Sequence, residues 1–146
     1  MKRFVWNYYN RVEREMYVTD ATTSWNYSTA TYRQANANSA NQVDFVIGIA
    51  EDACEFGLMA GATTSASTLR RVYSVIGIDS TTGPYRGVCA LIVNNSQIGT
   101  GFTSLRTVLA AGHHYAAWVE AGAGTDTQTF FSSAGAYAWL EGTVMG

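Results

Sequence analysis

The chain is poor in proline, lysine and cysteine: one Pro, one Lys and two Cys in 146 residues. No apolar stretch approaches the ~20 residues that a helical bilayer span needs. Pro84 closes Asp79-Ser80-Thr81-Thr82-Gly83-Pro84, residue types that favour turns, so it removes no ladder hydrogen bond. Cys54 and Cys89 are too few and too far apart to read as a metal framework. A disulfide would need their Cα atoms within about 7 Å, and the simpler reading is two small buried apolar side chains. The first residues are basic, but Asn7 and Asn10 interrupt any apolar core of a leader, so no secretory signal is expected. A formal charge of −2 and a pI near 5.6 argue against a nucleic-acid surface.

Helical patterning is also missing. No segment sustains apolar residues at i, i+3, i+4 and i+7, and the charged stretch 11–16 is barely one turn long. The usual catalytic signatures are absent: no Gly-x-Ser-x-Gly, no P-loop, no dinucleotide fingerprint. Glu51 and Asp52 are neighbours and diverge on an extended chain, while Asp79, Glu120 and Asp126 stand alone. His113-His114 draws the eye, yet adjacent strand residues point to opposite faces and cannot readily share an ion. The expectation is a protein that is not an enzyme, with no cofactor and no metal.

What the chain has is period-two alternation. In residues 42–51, Val43, Phe45, Ile47 and Ile49 fall on one strand face and Asp44, Val46, Gly48 and Ala50 on the other. The second face is only half polar, so something should cover part of it. Comparable patterns predict strands over 22–32, 53–59 (interrupted by Gly57), 68–78, 85–93, 102–109, 112–120, 127–131 and 137–145. Between them, 34–41, 60–67, 121–126 and 132–136 read as loops. Eight to ten short strands with regular turn signals predict an all-β, antiparallel β-sandwich or jelly roll.

Several strands are apolar on both faces. Tyr115 and Val119 oppose Trp118; Tyr137 and Trp139 oppose Leu140 and Val144. A lone sandwich wets one face of each sheet, so two-sided apolarity predicts a second partner, most simply another copy of the chain. The alternative is that some outward aromatics lie under loops. Tyr115, Trp118, Tyr137 and Trp139 are the interface candidates. Eight of the nine basic residues are arginine, a type enriched in interfaces where lysine is depleted, although genome composition produces the same bias.

Residues 1–20 differ from the remainder, 21–146. They gather Phe4, Trp6, Tyr8 and Tyr9 with Arg3, Arg11 and Arg14, the types found at binding hot spots. If extended, residues 4–9 could add a strand to a neighbouring sheet edge, as an arm. The alternative is that the segment is the first strand of the sandwich.

The stretch Trp6-Asn7-Tyr8-Tyr9-Asn10-Arg11-Val12, then Trp25-Asn26-Tyr27-Ser28-Thr29-Ala30-Thr31-Tyr32-Arg33-Gln34-Ala35-Asn36-Ala37, residues 41–52, Gly77-Ile78-Asp79-Ser80 and Leu140-Glu141-Gly142 resemble tailed-phage structural proteins. Those proteins carry a compact jelly roll similar to the tumour-necrosis-factor and C1q trimers. The resemblance implies a homotrimer in a virion, assembled in the host cytoplasm, with no catalytic residues. The jelly roll starts close to Met1 with no fibre shaft, which favours a capsid decoration (cement) protein contacting the major capsid protein or another virion protein. The alternatives are a tail-fibre or spike tip, with residues 60–67, 121–126 and 132–136 facing the host, or a carbohydrate-binding jelly roll that stacks Trp and Tyr on a host surface glycan. Neither nucleic acid nor membrane is an expected partner.

Overall fold

The computed structural model describes residues 11–83, 85–132 and 138–145. Among them are eleven strands and one 3-10 turn, Ala35–Ala37. Two long strands organise the rest. β5 (Ala53–Thr64) pairs along one edge with β8 (Gly99–Val108), and its other edge is shared by β11 (Trp139–Met145) and β10 (Gln128–Phe131). β1 (Glu13–Val18) pairs with β11 and β2 (Ser24–Asn26) with β10, completing sheet 1. In sheet 2, β9 (Gly112–Ala121) pairs with β6 (Arg70–Ile78) on one edge. On its other edge lie β4 (Gln42–Ile47) and β3 (Arg33–Gln34). β7 (Tyr85–Val93) lies outside β6. All of these pairings are antiparallel, and the architecture is a jelly-roll β-sandwich.

The core is the sum of the inward parities. Val43, Phe45 and Ile47 from β4 meet Phe56 and Leu58 from β5, Val72 and Ile76 from β6, Leu91 and Val93 from β7, and Leu140 and Val144 from β11. Trp25 lies edge-on to Trp118 at 5.5 Å and stacks on Phe130 at 6.4 Å, bridging the two sheets. Full burial of a large apolar side chain is worth about 1.5–3 kcal/mol, so this layer supplies most of the drive to fold. Where β8 closes the sandwich against β7, glycine is required. A Cβ at Gly101 would collide with Cys89 Sγ, and one at Gly99 would lie 2.5 Å from the Ile92 carbonyl oxygen.

Four boundaries differ from expectation. β5 continues through Thr64, although 60–67 reads as a loop; Ala60 and Ala62 are fully buried and Gly61 lies between them, paired to β8 and β10. Gly57 does not interrupt β5. β4 ends at Ile47, and Ile49 is half-buried beyond it. Only Ser24–Asn26 of 22–32 is a strand, since the following residues turn back toward β3. Cys54 and Cys89 are both free and buried.

Candidate functional site

The outward face of sheet 1 is the most distinctive surface described. Alternation along four strands sends Glu15 and Tyr17 (β1), Glu141 and Thr143 (β11), Glu55 and Gly57 (β5), and Ser104 and Arg106 (β8) to the same side. Cross-strand register aligns them in rows: Glu15, Thr143, Glu55 and Arg106 in one; Tyr17, Glu141, Gly57 and Ser104 in the next; Trp139, Met59 and Phe102 in the third. The first two rows and Phe102 line a groove of about 880 Å³. Gly57 forms its floor. A Cβ there would lie 2.8 Å from Glu141 Oε1 and 3.0 Å from the Phe102 ring, so a carboxylate and an aromatic ring lean over the same spot. Tyr17 is 59% exposed and Phe102 56%. Glu55 is paired to Arg106 at 3.0 Å, whereas the side chains of Glu15 and Glu141 have no hydrogen bond or ion pair among the described residues.

Sheet 2 carries a second outward cluster. Val75, Ala117 and Val119 are buried beneath Tyr32, Tyr73 and Tyr115, and the Tyr32 and Tyr73 rings lie 6.3 Å apart. Burial, together with the neighbouring Tyr73, raises the Tyr32 hydroxyl above its ordinary pKa. Beside this cluster Val46, Val88 and Ile92 stay exposed, so the half-polar face of β4 is not covered at Val46.

The interface candidates fall in different places. Tyr115 is half-buried on the outward face of sheet 2, and Trp139 is half-buried on that of sheet 1. Trp118 belongs to neither face. It is 1% exposed between the sheets against Trp25, so its surface is used within the chain and the interface reading does not hold for it. Arg14 is exposed on β1, and Arg11 pairs with Asp52. Phe4, Trp6, Tyr8, Tyr9 and Tyr137 lie outside the described residues. Sequence reading missed Phe102, Glu15, Glu141 and Gly57. Parity offered a signal for the first: Phe102 shares the polar face of β8 with Ser104 and Arg106.

The two histidines diverge, as strand alternation requires. His113 faces Asp44 at 3.4 Å, and both are exposed. His114 bridges Asp79 Oδ2 (2.7 Å, from Nδ1) and the Ala110 carbonyl (2.9 Å, from Nε2). Among the described residues no group of three or more His, Cys, Asp or Glu side chains could hold a metal ion.

No protein-family model matches the chain, and no curated protein matches it. Several solved structures are similar to it over most of its length. A chain in the structure of infectious bursal disease virus Gx strain is 13% identical with a TM-score of 0.48, matching 92% of this chain and 32% of its own length. The globular domain of zebrafish complement 1qA protein is 14% identical with a TM-score of 0.40, over 89% of this chain and 94% of that one. The EclA C-terminal domain, a sugar-binding protein, is 9% identical with a TM-score of 0.34, over 80% and 79%. At these identities the likeness concerns fold alone. The class, defined by the strand pairing described above, is a jelly-roll β-sandwich.

Proposed function

We propose that the chain is a tailed-phage virion structural protein: a homotrimer that decorates the capsid and clamps neighbouring capsid subunits. The observation that supports self-association is the outward face of sheet 1, where Tyr17 and Phe102 stand more than half exposed beside Trp139 and Met59. Exposed aromatics gathered beside a groove mark an interaction surface rather than the scatter normal for a monomer. With sheet 1 engaged by sister copies, the apolar residues on the outward face of sheet 2 and residues 1–10 are left for the capsid. The role is adhesive, not catalytic. Mass in solution tests the assembly: a trimer by light scattering supports it, and a monomer that does not associate on concentration refutes it. Copy number tests the location. A number matching the capsid lattice supports decoration, and the few copies of a tail overturn it in favour of a tail tip.

A further inference from the structure

We propose that the interior of the sandwich binds one ordered water molecule, held between Ser74 of β6 and Trp118 and Glu120 of β9. Two buried polar atoms carry the inference, which is independent of the assembly proposed above. Ser74 Oγ and Trp118 Nε1 belong to residues 0% and 1% exposed, and neither atom has a hydrogen-bond partner among the described residues. A buried polar group left bare forfeits its hydration with nothing in return, so such groups in folded proteins are paired either within the protein or with an ordered water.

Strand register brings these side chains together. Val72 and Ile76 point into the core, so Ser74 between them points inward as well. Ser74 lies directly opposite Glu120, and Ile76 directly opposite Trp118, which makes Trp118 the diagonal neighbour of Ser74 on the same face. Cys89 flanks Ser74 on the other edge of β6. A serine in this row is shorter than Val72 and Ile76, and its short side chain leaves space beside Glu120.

The chemistry of the three groups selects water. An indole N–H only donates, so its guest must accept; a hydroxyl does either. Glu120 Oε1 takes Arg33 and the Asn36 N–H, whereas Oε2 has Trp25 alone among the described residues and keeps a lone pair for a further proton. The guest must therefore accept from Trp118 and donate to Glu120. A cation would suit the carboxylate but oppose the indole N–H, and an apolar guest would satisfy neither. Three polar partners are typical of a buried water. Through Glu120 the water would extend the Trp25 bond between the sheets to β6.

The test is water-selective NOE spectroscopy on the full chain with isotope-labelled tryptophan. The four indole N–H signals are assigned by exchanging Trp6, Trp25 and Trp139 for Phe one at a time. The Trp118 proton should show a cross-peak with the sign of a long-resident water. Ser74→Ala keeps the space and should keep the cross-peak, whereas Ser74→Val fills the space and should abolish it. A folded wild type without this cross-peak overturns the proposal, whatever the variants do. An upfield Trp118 proton with no water contact would place the N–H against the Trp25 ring, 5.5 Å away between centroids, and overturn it as well. Loss of the cross-peak in Ser74→Ala would show that it was relayed by the serine hydroxyl. Survival in a folded Ser74→Val would put the water elsewhere. Either result removes the site.

Discussion

Trp25 donates its indole N–H to Glu120 at 2.6 Å across the sandwich, tying β2 of sheet 1 to β9 of sheet 2. Glu120 is fully buried. Its other oxygen accepts from Arg33 at 2.8 and 2.9 Å and from the Asn36 backbone N–H at 3.1 Å. Arg33 in turn sits 3.7 Å over the Tyr27 ring. Burial pushes the Glu120 carboxyl up from its ordinary range, and these donors pull against it. Glu120→Leu should be the costlier change, about 3–5 kcal/mol, because it strands a guanidinium and two N–H groups. Trp25→Phe keeps a ring but removes one donor, for about 1–3 kcal/mol. Urea unfolding followed by circular dichroism checks both, and equal or reversed costs would show that the carboxylate does not hold this corner.

Phe45 should behave as a core residue. It faces the Phe56 ring at 5.4 Å and the His114 ring at 5.9 Å, joining β4 to β5 and β9. Phe45→Ala is expected to cost about 3–5 kcal/mol. An unchanged melting temperature would contradict that placement.

Alternation made much of this core legible. Val43, Phe45 and Ile47, and Val72 and Ile76, lie on one side because strand side chains alternate whatever the tertiary context. Residues 60–64 were opaque for a physical reason: Ala60 and Ala62 are fully buried although small, and a run of small side chains resembles a loop. The groove was opaque for another. Glu141, Gly57 and Phe102 are far apart in sequence and meet only through the registers of β11 and β8 with β5. No local pattern encodes those registers.

His114 should make stability fall as pH rises above its ordinary pKa of 6.5. Both of its ring nitrogens face acceptors, an arrangement that only the imidazolium satisfies fully. The hydrogen bond to Asp79 raises its pKa above the ordinary 6.5, against the effect of burial and with help from the Ala110 carbonyl. A folded-state pKa above the unfolded one gives stabilisation that is complete below the unfolded value and is lost as pH rises through the folded value. Urea midpoints measured from pH about 6 upward should therefore decline in wild type more than in His114→Gln. Parallel declines would rule this contact out as the cause.

Asp20 should act at the other end of the scale. Burial would raise its carboxyl, yet the Thr22 N–H and the Asn38 and Asn41 amides outweigh it and lower the pKa from 3.8 to about 2. Asn36 donates as well, at 3.2 Å to each oxygen. With the folded-state value depressed, the contribution is present above 3.8 and is lost as pH falls toward about 2. Asp20→Ala should be less stable than wild type at neutral pH, and the difference should narrow through that window. A constant difference would assign the loss to packing instead of charge.

The N-terminal segment can be tested by two truncations with different meanings. Removing residues 1–20 takes away β1 and Asp20 together. β1 covers β11 through six paired positions, Glu13 to Val18, and packs Met16 and Val18 against the core. That truncation should fold poorly or not at all, so it cannot report on attachment. Removing residues 1–10 leaves β1, Arg14 and Asp20 in place while deleting Phe4, Trp6, Tyr8 and Tyr9. On the arm proposal, this shorter variant keeps the melting temperature and oligomeric mass of the full chain but no longer binds particles stripped of the wild-type protein. Three arms acting together would make that loss steep, because attachment by avidity fails once the individual contacts are gone. Normal binding by the shorter variant would move the attachment surface away from residues 1–10, and Val46, Val88 and Ile92 on sheet 2 would be the next residues to change.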